Sequence, residues 1–124
     1  MTETSDIPVH PKVWGEEHWI VNRDYCGKKL VLRKGYRCSM HLHKIKDETF
    51  YVIKGRVLME VSGKSRILTP GDKQHIQVKD SHRFTGLEDS EIIEFSTHHR
   101  EDDSYRDIVS GQIPEAEFQE LLSA

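Results

Sequence analysis

The chain has few cysteines, no long apolar run and no excess of basic charge, and each shortage removes a class of protein. Cys26 and Cys38 are the only two cysteines and make no C-x-x-C pair. That points away from a disulfide framework or a thiolate zinc site and toward reduced thiols. No stretch reaches the roughly 18 apolar residues of a membrane-spanning helix. The opening "MTETSDIPVHPK" also has no apolar signal-peptide core, so a cytoplasmic location and no membrane partner are expected. With 18 Lys and Arg against 21 Asp and Glu, the net charge is −3. No basic surplus is left to neutralise phosphates, so nucleic acid is not an expected partner. Internal repeats and low-complexity segments are missing as well.

What remains is 124 residues of strand-like sequence, a length that suits one domain. Short apolar runs recur: "KKLVLR" (28–33), "TFYVIK" (49–54), "VLMEV" (57–61), "SRIL" (65–68), "HIQV" (75–78) and "EIIEFS" (91–96). Turn residues separate them, "KG" at 34–35 and 54–55, "SGK" at 62–64 and "PGD" at 70–72. None of the runs has the length or period of a globular helix. The pattern predicts an all-β fold, a sandwich or barrel of short antiparallel strands. A helical signal appears only at the end. "IPEAEFQELLSA" has Pro114 in the place of a first turn and Phe118, Leu121 and Leu122 at i, i+3, i+4. The expected organisation is a lead-in over 1–13, a barrel over 14–110 and a helical segment over 111–124.

Eight histidines are many for this length, and two stand in "GYRCSMHLHKIKDETFYVIKG". On a strand His41 and His43 share a face, and Glu48 follows five residues later. An isolated His-x-His is more often structural than ligating, so the context has to decide. Two imidazoles and a carboxylate leave a divalent site unfinished, and His75 and His82 are the candidates to complete it. Phe84 shares the face of His82, and apolar company suits an inward position. Mixed imidazole and carboxylate ligation fits Zn, Mn, Fe, Co or Ni without choosing among them.

These residues resemble the first motif of the cupin superfamily, small jelly-roll (double-stranded β-helix) barrels with an interior metal. Gly35, His41, His43, Glu48 and Gly55 satisfy every position of that motif. In the second motif Gly71 and His82 fall in place, while Gln77, Lys79 and Gly86 replace its Pro, Gly and Asn. The resemblance implies one divalent transition metal held by His41, His43, Glu48 and His82.

The alternation of "KKLVLR" puts Lys29, Val31 and Arg33 on one face and Lys28, Leu30 and Leu32 on the other, so either choice carries a lysine inward. In "EIIEFS" an acid, Glu94, sits among isoleucines and is a candidate interior base whose pKa burial would raise. Several segments are similar to the cupin domain of type II mannose-6-phosphate isomerases. They are Trp14, Gly15 and Glu16; Lys29; Ser39 before the histidine pair; Phe50 to Val52 after Glu48; Glu94; and Glu101, Asp102, Asp103 and Arg106 in "EDDSYR". This similarity implies a metal-dependent sugar or sugar-phosphate isomerase or epimerase working through a metal-stabilised enediolate. Glu94 is then the base and Lys29 a polarising group. Arg106 binds an anionic group of the substrate, with Phe50, Phe84 and His75 as further substrate contacts. Alternatives are a metal-dependent cupin dioxygenase or decarboxylase, or a non-catalytic sugar-binding module. Open sheet edges predict a homodimer, with residues 1–20, which include Trp14 and Trp19, supplying the contact.

Overall fold

The computed structural model describes residues 6–108 and 110–123, so the first residues of the lead-in and the last residue of the helical segment lie outside the description. The strands are β1 (Val9–Lys12), β2 (Gly15–Asn22), β3 (Tyr25–Leu32), β4 (Tyr36–Arg37), β5 (Met40–Leu42), β6 (Glu48–Lys54), β7 (Val57–Val61), β8 (Lys64–Leu68), β9 (Lys73–Ile76), β10 (His82–Gly86), β11 (Ser90–Thr97), β12 (Tyr105–Ile108) and β13 (Gly111–Gln112). One helix, α1 (Glu115–Ser123), closes the chain. The alternating runs therefore do fold as strands, and the i, i+3, i+4 signal folds as the helix.

The strands form two antiparallel sheets. One is six-stranded in the order β1-β2-β3-β11-β6-β9; the other runs β12-β5-β10-β4-β13, with β7 beside β10 and β8 beside β7. Since β4 and β5 both pair with β10, through Arg37 opposite Thr85 and His41 opposite His82, they behave as one interrupted strand. This is the jelly-roll arrangement.

Register divides the inner face of the six-stranded sheet into polar and apolar rows, because residues paired across strands share a face. One row runs Cys26, Ser96, Glu48, Ile76, and the next runs Trp19, Lys28, Glu94, Phe50, Gln74. A third row, Leu30, Ile92 and Val52, is apolar and buried. With Leu32, Val57, Met59 and Leu68 it makes the main core. One end of the barrel is thus packed with hydrocarbon, and the other carries titratable side chains inside.

Glycines allow two of the tight joins. At Gly55, φ is 90°, and an added Cβ would lie 2.5 Å from the Asp89 carbonyl oxygen. At Gly15 the backbone approaches the Val31 carbonyl too closely for any side chain.

A second, smaller apolar cluster of Leu87, Ile113 and Phe118, joined by Leu58, Leu121 and Leu122, docks α1 on the seven-stranded sheet. Arg37 Nη1 donates to Glu117 Oε1 at 2.7 Å across the same junction. Trp14 is buried edge-on to Phe84, and Trp19 lies under the Lys28 ammonium with its indole N–H donated to Glu17. The Trp14 ring thus packs into the interior of its own chain, and the Trp19 ring is half-buried. Among the described residues no helix is long and apolar enough to cross a membrane.

Removing the Phe118 ring should leave a cavity under α1 and cost about 3–5 kcal/mol. The urea midpoint of Phe118→Ala is therefore expected to fall clearly below that of the wild type. Its metal content should not change, because the helix docks away from the polar end.

Candidate metal centre

Antiparallel pairing brings the first two imidazoles together, since His41 on β5 stands opposite His82 on β10 with ring centroids 4.3 Å apart. His43 follows β5, and Glu48 opens β6 in the opposite sheet. One nitrogen from each of His41, His43 and His82 lies within 4.8 Å of the others. Glu48 Oε2 is 3.2 Å from His43 Nε2 and 3.6 Å from His82 Nε2.

Hydrogen bonds on the far side of each ring fix its tautomer. His41 Nδ1–H donates to the Ser39 carbonyl at 2.7 Å, His43 Nδ1–H to the Asp103 carbonyl at 3.0 Å, and His82 Nδ1–H to the Asp80 carbonyl at 3.0 Å. A neutral imidazole with a protonated Nδ1 presents a lone pair at Nε2. Burial first, and then the proximity of the His82 ring, push the His41 pKa down to about 3, and burial also lowers that of His82. Three imidazole nitrogens thus come together, with a carboxylate oxygen beside two of them. Glu48 Oε2 and His82 Nε2 are buried without a hydrogen-bond partner. A divalent cation is the partner such a set fits, with His41, His43 and His82 binding through Nε2 and Glu48 through Oε2. The backbone carbonyls behind the rings are the outer support that metal-binding histidines ordinarily have.

A cavity of about 90 Å³ opens beside this set. Phe50 and Phe84 line it, as expected, and both are buried. Glu94 also points inward, but its environment is not the expected one. Burial does push its carboxyl pKa up, yet the Lys46 and Lys28 cations together with a Ser96 hydrogen bond more than reverse this, holding it below the usual range. Lys46 Nζ lies 3.2 Å from Glu94 Oε2, 3.8 Å from Glu48 Oε1 and 3.2 Å from His99 Nδ1. Burial opposes the charge of Lys46, and Glu94 and Glu48 raise its pKa overall. Lys28, 1% exposed, pairs with Glu17 Oε1 at 3.4 Å.

Two expected contacts fall outside. Lys29 is on the outer face, 36% exposed and paired with Glu91 at 3.2 Å, so the interior lysine of β3 is Lys28. Burying Leu30 and Leu32 requires this, and the motif similarity placed the lysine one residue late. His75 is also outward, 51% exposed and paired with Asp47 at 2.6 Å, because β9 buries Ile76. Arg106 lines the cavity from β12, directly opposite His41. Its guanidinium makes no hydrogen bond or ion pair to another described residue. The Glu101 side chain lies outside the description.

Sequence reasoning missed Lys46, His99, Glu17 and the part played by Asp103. Asp103 is buried, and its carboxylate accepts from the backbone N–H groups of Lys44, Ile45 and Lys46 at 2.9–3.2 Å. It shapes the loop between the two ligand-bearing strands while its carbonyl orients His43. Its sequence signal was its place in the charged run "EDDSYR", which marked no structural role for it. Glu17 had a better one, lying two residues beyond the buried Gly15 turn at the start of β2.

The model of the cupin domain family matches residues 29–96, more than half of the chain. The chain belongs to the cupin family. Among solved structures this cupin is similar to KdgF from Halomonas sp., at 26% identity over 70% of this chain and 81% of that one, with a TM-score of 0.66. An RmlC-like cupin from Shewanella frigidimarina matches at 19% identity over 82% and 92% of the two chains, with a TM-score of 0.72. A variant of Streptomyces PAC13 with uridine matches at 14% identity over 94% and 98%, with a TM-score of 0.77. Curated protein sequences include no match. The last two likenesses concern the fold alone, and the isomerase resemblance rests on sequence motifs.

Purified without a metal-affinity step and reloaded, this cupin should bind about one equivalent of a divalent transition metal. His41→Ala and His82→Ala are both expected to abolish tight binding. Asp103→Asn, which sets an amide donor against backbone N–H groups, should weaken binding about tenfold or more. Elemental analysis and competition with a chelator measure all three.

Proposed function

We propose that this cupin is a metal-dependent enzyme that moves a proton next to a carbonyl group of a small sugar or sugar phosphate, an isomerase or epimerase type of reaction. The observation that supports it is a buried carboxylate, Glu94, lining the same cavity as His41, His43 and Glu48, with His82 completing the three-histidine group beside it. When bound there, a divalent cation supplies positive charge for the oxyanion that develops as a carbon next to a carbonyl loses its proton.

The chain's own residues supply the rest. Glu94 is held as a carboxylate and so can accept a proton; Ser96 Oγ donates to its Oε2 at 2.8 Å and fixes its orientation. Ammonium groups at Lys28 and Lys46 and the hydroxyl of Ser39 offer hydrogen bonds to substrate oxygens along the wall. Phe50 and Phe84 close the floor against water. The cavity lining holds Lys12, Lys28, Lys46 and Arg106 against Glu17, Glu48 and Glu94. A bound cation makes the balance more positive, which favours an anionic substrate, and the guanidinium of Arg106 suits a carboxylate or phosphate.

Incubation of the metal-loaded protein with aldose and ketose phosphates in heavy water tests the reaction. Deuterium is expected at the carbon beside the carbonyl, and Glu94→Gln should slow its entry about 100-fold or more. No exchange across hexose, pentose and heptose substrates would favour oxygen chemistry or simple binding. Arg106→Met should raise KM for an anionic substrate about tenfold or more and leave kcat nearly unchanged, as a lost binding contact does.

A further inference from the structure

Lys46 belongs to none of the motifs that identify this fold, yet it is among the most enclosed charged groups of the cavity wall, 3% exposed. It sits in the loop between the His41–His43 pair and Glu48, and its backbone N–H is fixed by the Asp103 carboxylate at 2.9 Å. Its ammonium is held from two sides, by Glu94 Oε2 and by His99 Nδ1, each at 3.2 Å. The remaining neighbour is Glu48 Oε1, at 3.8 Å. The two oxygens of Glu48 thus face different partners: Oε2 faces the imidazole nitrogens of His43 and His82, and Oε1 faces an ammonium.

A carboxylate can bind a cation through one oxygen or both, and the choice sets how many positions remain for water or substrate. We infer that Lys46 is a positioning residue that occupies Glu48 Oε1, so that Glu48 offers only Oε2 to a cation held by the three histidines. Glu94 and His99 anchor the ammonium, and Asp103 anchors the loop that carries it. A six-coordinate ion held by three nitrogens and one oxygen keeps about two positions open on the cavity side. With both Glu48 oxygens bound it would keep about one. Two adjacent open positions are what a substrate needs to bind through a carbonyl and a neighbouring hydroxyl, so the inference rests on the metal centre and deepens the proposed function.

The test counts water on the ion and does not depend on turnover. Manganese-loaded protein is compared with Lys46→Met, Lys46→Arg and the double variant Lys46→Met with Glu94→Gln, by the longitudinal relaxation of solvent protons per bound Mn²⁺. The double variant removes both charges together, so it avoids leaving Glu94 buried without its nearest cation if Lys46→Met alone does not fold. Relaxation in the neutral variants is expected to fall to about half of the wild-type value, and Lys46→Arg is expected to restore it. Wild-type relaxation in the double variant would overturn the assignment, as would a wild-type protein that takes up no manganese. The two proposals can fail separately. Halved relaxation with no deuterium exchange anywhere would remove the reaction and leave Lys46 in its role; exchange with unchanged relaxation would do the reverse.

Discussion

The rest of this structure depends on a repulsion. Three imidazoles are committed by their Nδ1–H bonds to backbone carbonyls and bring their other nitrogens together, with one carboxylate oxygen of Glu48 beside those of His43 and His82. All four are acceptors, and a buried acceptor without a donor costs free energy. The chain holds them there because the backbone leaves no alternative. His41 and His82 are opposite each other in an antiparallel pair, Glu48 is fixed by pairing with both Ser96 and Ile76, and His43 is tied to Asp103. A divalent cation would satisfy such a group, and its assembly is a consequence of sheet register.

The same logic explains the charges around it. A buried ion pair is poor evidence for stability, since well-packed apolar residues of similar volume often do as well or better. Lys28 with Glu17, and Lys46 with Glu94, would be hard to account for as structural devices. All four line one cavity, however, with Lys28 and Glu94 paired across β3 and β11. Each carboxylate there has a lysine beside it, so the wall offers donors and acceptors together while remaining buried. The apolar row of Leu30, Ile92 and Val52 one step further along is what makes this tolerable. Hydrocarbon burial at one end of the barrel stabilises the fold, so the other end can carry charge.

How much of this was legible in the sequence follows from where each residue sits. Period-two alternation marks faces, and His41, Phe50, Phe84 and Glu94 were legible because they lie on regular strands with apolar neighbours. The glycines bracketing the histidine pair were legible too, and Gly55 shows why: the neighbouring chain leaves no room for a Cβ. Alternation also contained the answer for β3, where burying two leucines carries Lys28 inward, and a motif alignment one residue out hid it. Lys46 and Asp103 carried no such signal. Lys46 is in a loop without a period, and Asp103 reaches its partners from nearly sixty residues away in sequence, a pairing that exists only once the sheets have closed. His75 misled for the complementary reason, since a histidine beside an isoleucine on a short strand can face either way.

Loops and strands therefore divide the work. Strand register brings the ligands together, and it is insensitive to everything except the in–out pattern, which many sequences satisfy. The loop that carries Lys46 and the segment that carries Asp103 set an ammonium beside Glu48 Oε1, tie the His43 ring to a carbonyl and put a charge into the cavity wall. Residues of that second kind can change with little cost to the barrel, because they contribute almost nothing to its apolar core. A common cupin framework can in this way hold the same four ligands and still differ in how many positions on the metal it leaves open, and to what.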